Sequence, residues 1–241
     1  MKKYREIKYD CGEFLDVEFF PVYKKSKSRR ARYKPTTEGQ ALLNHKRAQR
    51  KLIRLVHTNF CERDYTVHLT YTEGNMPHNK ESAQREVQNY IRRLKRIYAK
   101  AGIEFKYIYV TEQGKKSARL HHHLIVSGGV SRDVLESAWK LGRANTRRLQ
   151  FDNNGVAGLT AYISKQALFY RRWNRSKNLR EPTVKVNDYR VSRKKAHSVC
   201  VFEDKKTIAE LYPLYDMAHI EYTIAEISAE YYAFLRLKKR I

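Results

Sequence analysis

Three consecutive histidines, His121-His122-His123, interrupt a strand-forming stretch, Arg119-Leu-His-His-His-Leu-Ile-Val126. Its apolar end, Leu124-Ile-Val126, runs into Ser-Gly-Gly, the pattern of a buried strand that stops at a turn. Successive side chains on a strand alternate faces, so His121 and His123 point one way and His122 the other. Two neutral imidazoles at a spacing fixed by the strand are a ready ligand pair for a divalent cation. His122, facing away from them, is left a structural role.

The segment just before strengthens the metal reading. Tyr107-Ile-Tyr-Val-Thr-Glu112 is a second alternating apolar stretch that ends in a carboxylate, and a polar, glycine-containing connection follows it. The two stretches are expected to form a hairpin with Glu112 near its mouth, within reach of His121. Two histidines and one carboxylate leave coordination positions open, as a catalytic rather than a structural metal needs. Downstream lies Gly158-Leu-Thr-Ala-Tyr162-Ile-Ser-Lys165. On a helix Tyr162 and Lys165 would share one face, about a turn apart.

Glu, then His-x-His, then Tyr-x-x-Lys, in that order, resembles the HUH endonucleases, in particular the rolling-circle replication initiators of plasmids, phages and small single-stranded DNA viruses. Thr66-Val-His-Leu-Thr-Tyr-Thr72 is similar to that family's first motif. Arg119-Leu-His-His-His-Leu-Ile125 is similar to the second, with Leu120 where proline is usual and His122 in the variable slot. Tyr162-Ile-Ser-Lys165 is similar to the third, and Arg172-Trp-Asn-Arg-Ser-Lys-Asn-Leu-Arg-Glu-Pro182 to a segment that follows the tyrosine in bacterial and phage members. The likeness runs from about Arg63 to Pro182. Gly158 occupies the position where some phage initiators carry a second tyrosine, so a single-tyrosine enzyme is expected.

The resemblance implies an α+β fold: a ferredoxin-like (RRM-like) antiparallel sheet with the His-x-His strand central and helices on one face. It implies His121, His123 and Glu112 as ligands of Mn2+ or Mg2+, Tyr162 as nucleophile and Lys165 as its catalytic companion. The expected reaction nicks single-stranded origin DNA, leaves a 5′-phosphotyrosine and a free 3′-OH, and runs backwards to rejoin strands. DNA contacts are expected from Arg119, Thr70, Arg171, Arg172, Trp173, Arg175 and Lys177. An origin hairpin is the expected partner, with host helicase and polymerase beside it. Two other readings stay open: a single-tyrosine transposase of the same chemistry, and a non-catalytic DNA-binding protein.

Composition agrees with an anionic partner. Fifty Lys and Arg against 25 Asp and Glu give a formal net charge of +25, and nucleic acid is the default partner of such a chain. No apolar run approaches membrane-spanning length, no signal-peptide pattern opens the chain and no P-loop pattern occurs in it. A cytoplasmic protein of a bacterial cell is the expectation. Cys11, Cys61 and Cys200 are odd in number and widely spaced, which suits a reducing compartment. The expected organisation is a basic N-terminal extension (1–62), the endonuclease domain (63–182) and a C-terminal extension (183–241). The cationic run 24–34 reads as an arm for phosphates or as a solvated segment. In the C-terminal extension, Ile220, Ile224, Ile227, Tyr231 and Phe234 predict an amphipathic helix over 216–240, and 199–202 reads as a strand.

Overall fold

Tyr65, Val67 and Leu69 alternate with polar residues, and the strand they form buries its apolar side only. The structure is a computed structural model that describes residues 3–23, 37–114, 119–158, 173–225 and 228–240. The cationic run 24–34, together with Tyr162, Lys165, Arg171 and Arg172, lies outside the described residues. In chain order the elements are β1 (Tyr4–Asp10), β2 (Phe14–Pro21), α1 (Glu38–Asn59), β3 (Tyr65–Thr70), α2 (Lys80–Lys100), β4 (Tyr107–Gln113) and β5 (Leu120–Val126). Then come α3 (Arg132–Ser137), β6 (Ala144–Arg148), β7 (Asn174–Arg175), β8 (Thr183–Asn187), α4 (Arg193–Phe202), α5 (Lys205–Leu211), β9 (Tyr215–Ala225) and β10 (Glu230–Lys239). Helix starts follow their capping residues. Thr37 Oγ1 accepts from the Gln40 amide at 3.2 Å, and Asn79 Oδ1 accepts from the Ser82 amide at 2.8 Å. No helix among the described residues is long and apolar enough to cross a membrane.

The chain divides into two compact units, one of Asn59–Asp152 and Val156–Arg180, the other of Met1–Thr58, Asn153–Gly155 and Glu181–Ile241. The first is α+β. Its five-stranded antiparallel sheet has the order β6-β3-β5-β4-β7, with the histidine strand β5 in the centre, as expected. Val87, Tyr90, Ile91, Leu94 and Tyr98 of α2, with Leu135 and Trp139 from α3 and its end, pack against Tyr65, Val67, Leu69, Tyr109, Leu124 and Val126. One face of the sheet therefore carries the helices. The opposite face carries His121 and His123.

The second unit brings the two ends of the chain together in another antiparallel sheet, of order β8-β1-β2-β10-β9. One of its faces packs Leu15, Val17, Phe19, Ala233, Leu235 and Leu237 against Val199, Cys200, Ile208 and Leu211. The other holds a charged layer. Fully buried Asp16 accepts from Arg236 at 2.8 Å and from Arg54 of α1 at 2.9 Å, and Arg54 also reaches Glu18 at 2.6 Å.

Two sequence expectations are corrected in this unit. The amphipathic helix expected over 216–240 is the hairpin β9–β10, whose turn places Ala229 in the left-handed region at φ 47°. Apolar residues there fit a helical period, yet they also alternate along β10, and aromatic and β-branched residues favour pairing with β2. Likewise 199–202 is the last turn of α4 rather than a strand, because Val199 and Cys200 bury against the sheet one helical turn beyond Ala196.

Candidate active site

Residues paired across antiparallel strands share a face, and register alone assembles this site. Thr70 and Glu112 flank His121 in one row, and His68 and Val110 flank His123 in the next. In a third row Thr66, Ile125 and Ile108 run between Arg147 on β6 and Arg175 on β7. Glu112 Oε2 lies 3.4 Å from His121 Nε2 and 3.5 Å from His123 Nε2. His68 stacks on His123, with ring centroids 4.5 Å apart and planes 7° from parallel. Ligand atoms of His68, His121 and His123 all lie within 4.8 Å of one another.

The donor set suits a divalent ion. Burial, aided by the neighbouring His68 and His121, pushes His123 down to about 3, and burial likewise lowers His68, so both imidazoles offer a lone pair at neutral pH. A hydrogen bond with Glu112 raises His121, which marks the place where a cation would substitute for the shared proton. His68 Nε2 and Glu112 Oε1 are buried without a hydrogen-bond partner, an expense that a bound cation would relieve. The His121 ring is oriented from behind by the Arg119 carbonyl, 3.3 Å from its Nδ1.

His122 keeps to the other face, fully buried, between the Tyr71 hydroxyl at 2.6 Å and Thr111 Oγ1 at 2.9 Å. A neutral imidazole, one donor and one acceptor, satisfies both hydroxyls. It therefore anchors β5 to the core and does not join the ligands. At the end of β3 the chain passes so close to Gly142 that a Cβ there would meet the Thr70 carbonyl at 2.3 Å and the Thr72 amide at 2.7 Å.

Of the residues anticipated from the sequence, Glu112, His121 and His123 come together and Thr70 lies directly across from His121. Arg119 donates to the Tyr71 carbonyl at 3.2 Å. Trp173 is half-buried beside β7, Arg175 is exposed on the histidine face of the sheet, and Lys177 is exposed in the following turn. Tyr162, Lys165, Arg171 and Arg172 are outside the described residues. His68 was missed. Its only local signal is its place on the polar side of Thr66-Val-His-Leu-Thr70.

A groove of about 570 Å3 runs beside the ligands over β3, lined by Thr66, His68, Thr70, His123, Arg143, Asn145 and Arg147 among others. No curated protein and no solved structure matches the chain. One protein family does, the replication-associated protein ORF2 family, over residues 64–167, which takes in β3, the histidine strand and β6. With a histidine group suited to a metal on the central strand of an antiparallel α+β sheet, this segment belongs to the replication-associated protein ORF2 family, a family of rolling-circle replication initiators.

Proposed function

We propose that this protein starts rolling-circle replication by nicking single-stranded origin DNA with Tyr162 and later rejoins strands by the reverse reaction. The observation that carries the reading is the convergence of Glu112, His68, His121 and His123 on one sheet face, inside a segment of a replication-initiator family. Those four side chains would hold the ion, and three imidazoles favour manganese over magnesium. When bound, the ion supplies Lewis-acid polarisation of a phosphoryl oxygen.

The remaining chemistry belongs to the chain. A phenol has an ordinary pKa of about 10, so Tyr162 needs help to ionise. Lys165, three residues on, favours the phenolate. The Tyr162 oxygen forms a bond to phosphorus, the bond from phosphorus to the 3′ oxygen breaks, and that oxygen takes a proton to become a free 3′-OH. The DNA stays attached through a 5′-phosphotyrosyl bond, and attack by a 3′-OH reverses the sequence. Arg119, Thr70, Arg171, Arg172, Arg175 and Lys177 hold the backbone, and Trp173 stacks on an unpaired base. A host helicase and polymerase would extend the 3′ end in the bacterial cytoplasm.

The test is a denaturing gel of the protein with labelled single-stranded origin hairpins, with manganese or with chelator. A labelled band at protein mass that needs the metal and is lost in Tyr162→Phe, while DNA binding persists, is the expected result. Cleavage surviving in Tyr162→Phe would take the nucleophile away from Tyr162. No adduct from the unaltered protein across a broad pool would leave a DNA-binding protein with structural histidines.

A further inference from the structure

The groove beside the ligands is walled by β6, an edge strand in the described sheet. Residues 143, 145 and 147 point alternately with Ala144, Thr146 and Arg148, and pairing puts them on the histidine face. Asn145 lies across from His68 and Arg147 from Thr66, and the Arg143 carbonyl accepts from the Thr70 amide at 2.9 Å. Thr70 and Thr66 also donate from their hydroxyls to the Arg143 and Arg147 carbonyls, at 3.2 and 3.4 Å, which ties β6 to β3.

Arg143 and Arg147 are exposed, and among the described residues neither pairs with a carboxylate. Arg147 donates only to the neutral Asn145 amide oxygen, at 3.3 Å, which leaves its charge unmatched. Elsewhere arginines are neutralised: Arg5 by Asp188, Arg50 by Glu221, Arg54 and Arg236 by Asp16, Arg240 by Asp216. No acidic side chain lines the groove. Charges on an edge strand also discourage edge-to-edge pairing, but that purpose is indifferent to the face they occupy. Arg148, on the helix face, lies over the Tyr65 ring at 4.3 Å, whereas the two groove arginines are left for an anion outside the protein.

We propose that this groove is a subsite for single-stranded DNA beside the reacting phosphate, with Arg143 and Arg147 each holding a backbone phosphate. Four residues of antiparallel strand separate them by ~13 Å, a reach of a few nucleotides. Thr66 and Thr70 form the floor, and Asn145 between the arginines offers amide groups to a base edge. The subsite rests on the nicking function proposed above, since it is the ligand centre that makes this face the DNA face.

The experiment measures binding of a fluorescent single-stranded oligonucleotide by anisotropy, in chelator and over a range of salt, using the full chain. Arg143→Ala/Arg147→Ala is expected to weaken binding ~10-fold or more, and to reduce the slope of log K against log salt by about 1.4, two single-strand phosphate contacts. Arg143→Lys/Arg147→Lys should recover most of the slope. Arg92→Ala/Arg96→Ala removes the same charge from the exposed side of α2, on the opposite face of the sheet, and should move the slope much less. Equal losses from the two alanine pairs would overturn the subsite, as would unchanged binding by Arg143→Ala/Arg147→Ala. If that pair binds normally while the unaltered protein still forms its adduct, the subsite fails and the nicking function stands. If the unaltered protein forms no adduct, the function fails first.

Discussion

His68 faces His123 only because β3 and β5 pair in a register that sets them opposite each other. A one-residue slip would turn His68 into the core and put Val67 or Leu69 beside the ligands. As an imidazole with a buried, unpartnered Nε2, it is expected to bind the ion. His68→Ala should weaken manganese binding more than ~10-fold, beyond the loss typical of an outer partner, as read from free Mn2+ by electron paramagnetic resonance. Unchanged affinity would reduce it to a ring stacked on His123. His57, in the other unit, makes a different kind of prediction. It is buried and stacked on Phe14 at 4.2 Å, and burial pushes it down to about 3. The folded value lies below the ordinary one of about 6.5, so the unfolded chain takes up the extra proton. Stability is full above about pH 6.5 and falls toward pH 3, by up to ~1.4 kcal/mol per pH unit from this group. His57→Gln should flatten that limb in urea titrations followed by circular dichroism, whatever it does to stability at neutral pH.

At the level of elements, the β3 end and the approach to β6 depend on an absent side chain. Gly142→Ala would drive a Cβ into the backbone of Thr70 and Thr72, where no flexible atom can yield. Overpacking of this kind costs ~1–3 kcal/mol, and the displaced Thr70 and Arg143 should weaken single-strand binding along with stability, measured as urea midpoint and anisotropy on the same sample. The elements also divide by how far their signals reach along the chain. The His121/His123 pair, the split-off His122 and the Glu112 hairpin were legible because a period of two and a short connection are local. His68, Asn145 and Arg147 were not, because they join the site through strand register, which no local pattern encodes. The β9–β10 hairpin misled for another reason. Ile220, Ile224 and Tyr231 satisfy a helical period, while Tyr231, Ala233, Leu235 and Leu237 satisfy a strand period, and only pairing to β2 decides between them.

Over the whole molecule, a net charge of +25 and the order of three motifs were enough to anticipate a nucleic-acid enzyme with an α+β core around the histidines. They held no hint that the segments before and after that core share a sheet, since β1 finds β8, and β2 finds β10, across almost the length of the chain. That pairing has a consequence for synthesis. Translation delivers β3 through β7 before β8 leaves the ribosome, so the sheet bearing the histidines can be complete while the other is half made. The β1–β2 hairpin must wait meanwhile with the edge of β2 unpaired and Val17 and Phe19 uncovered, and unpaired edges of nascent chains invite aggregation. A ribosome stalled after residue 180 would release a product able to build the replication chemistry's sheet, yet carrying an adhesive stump.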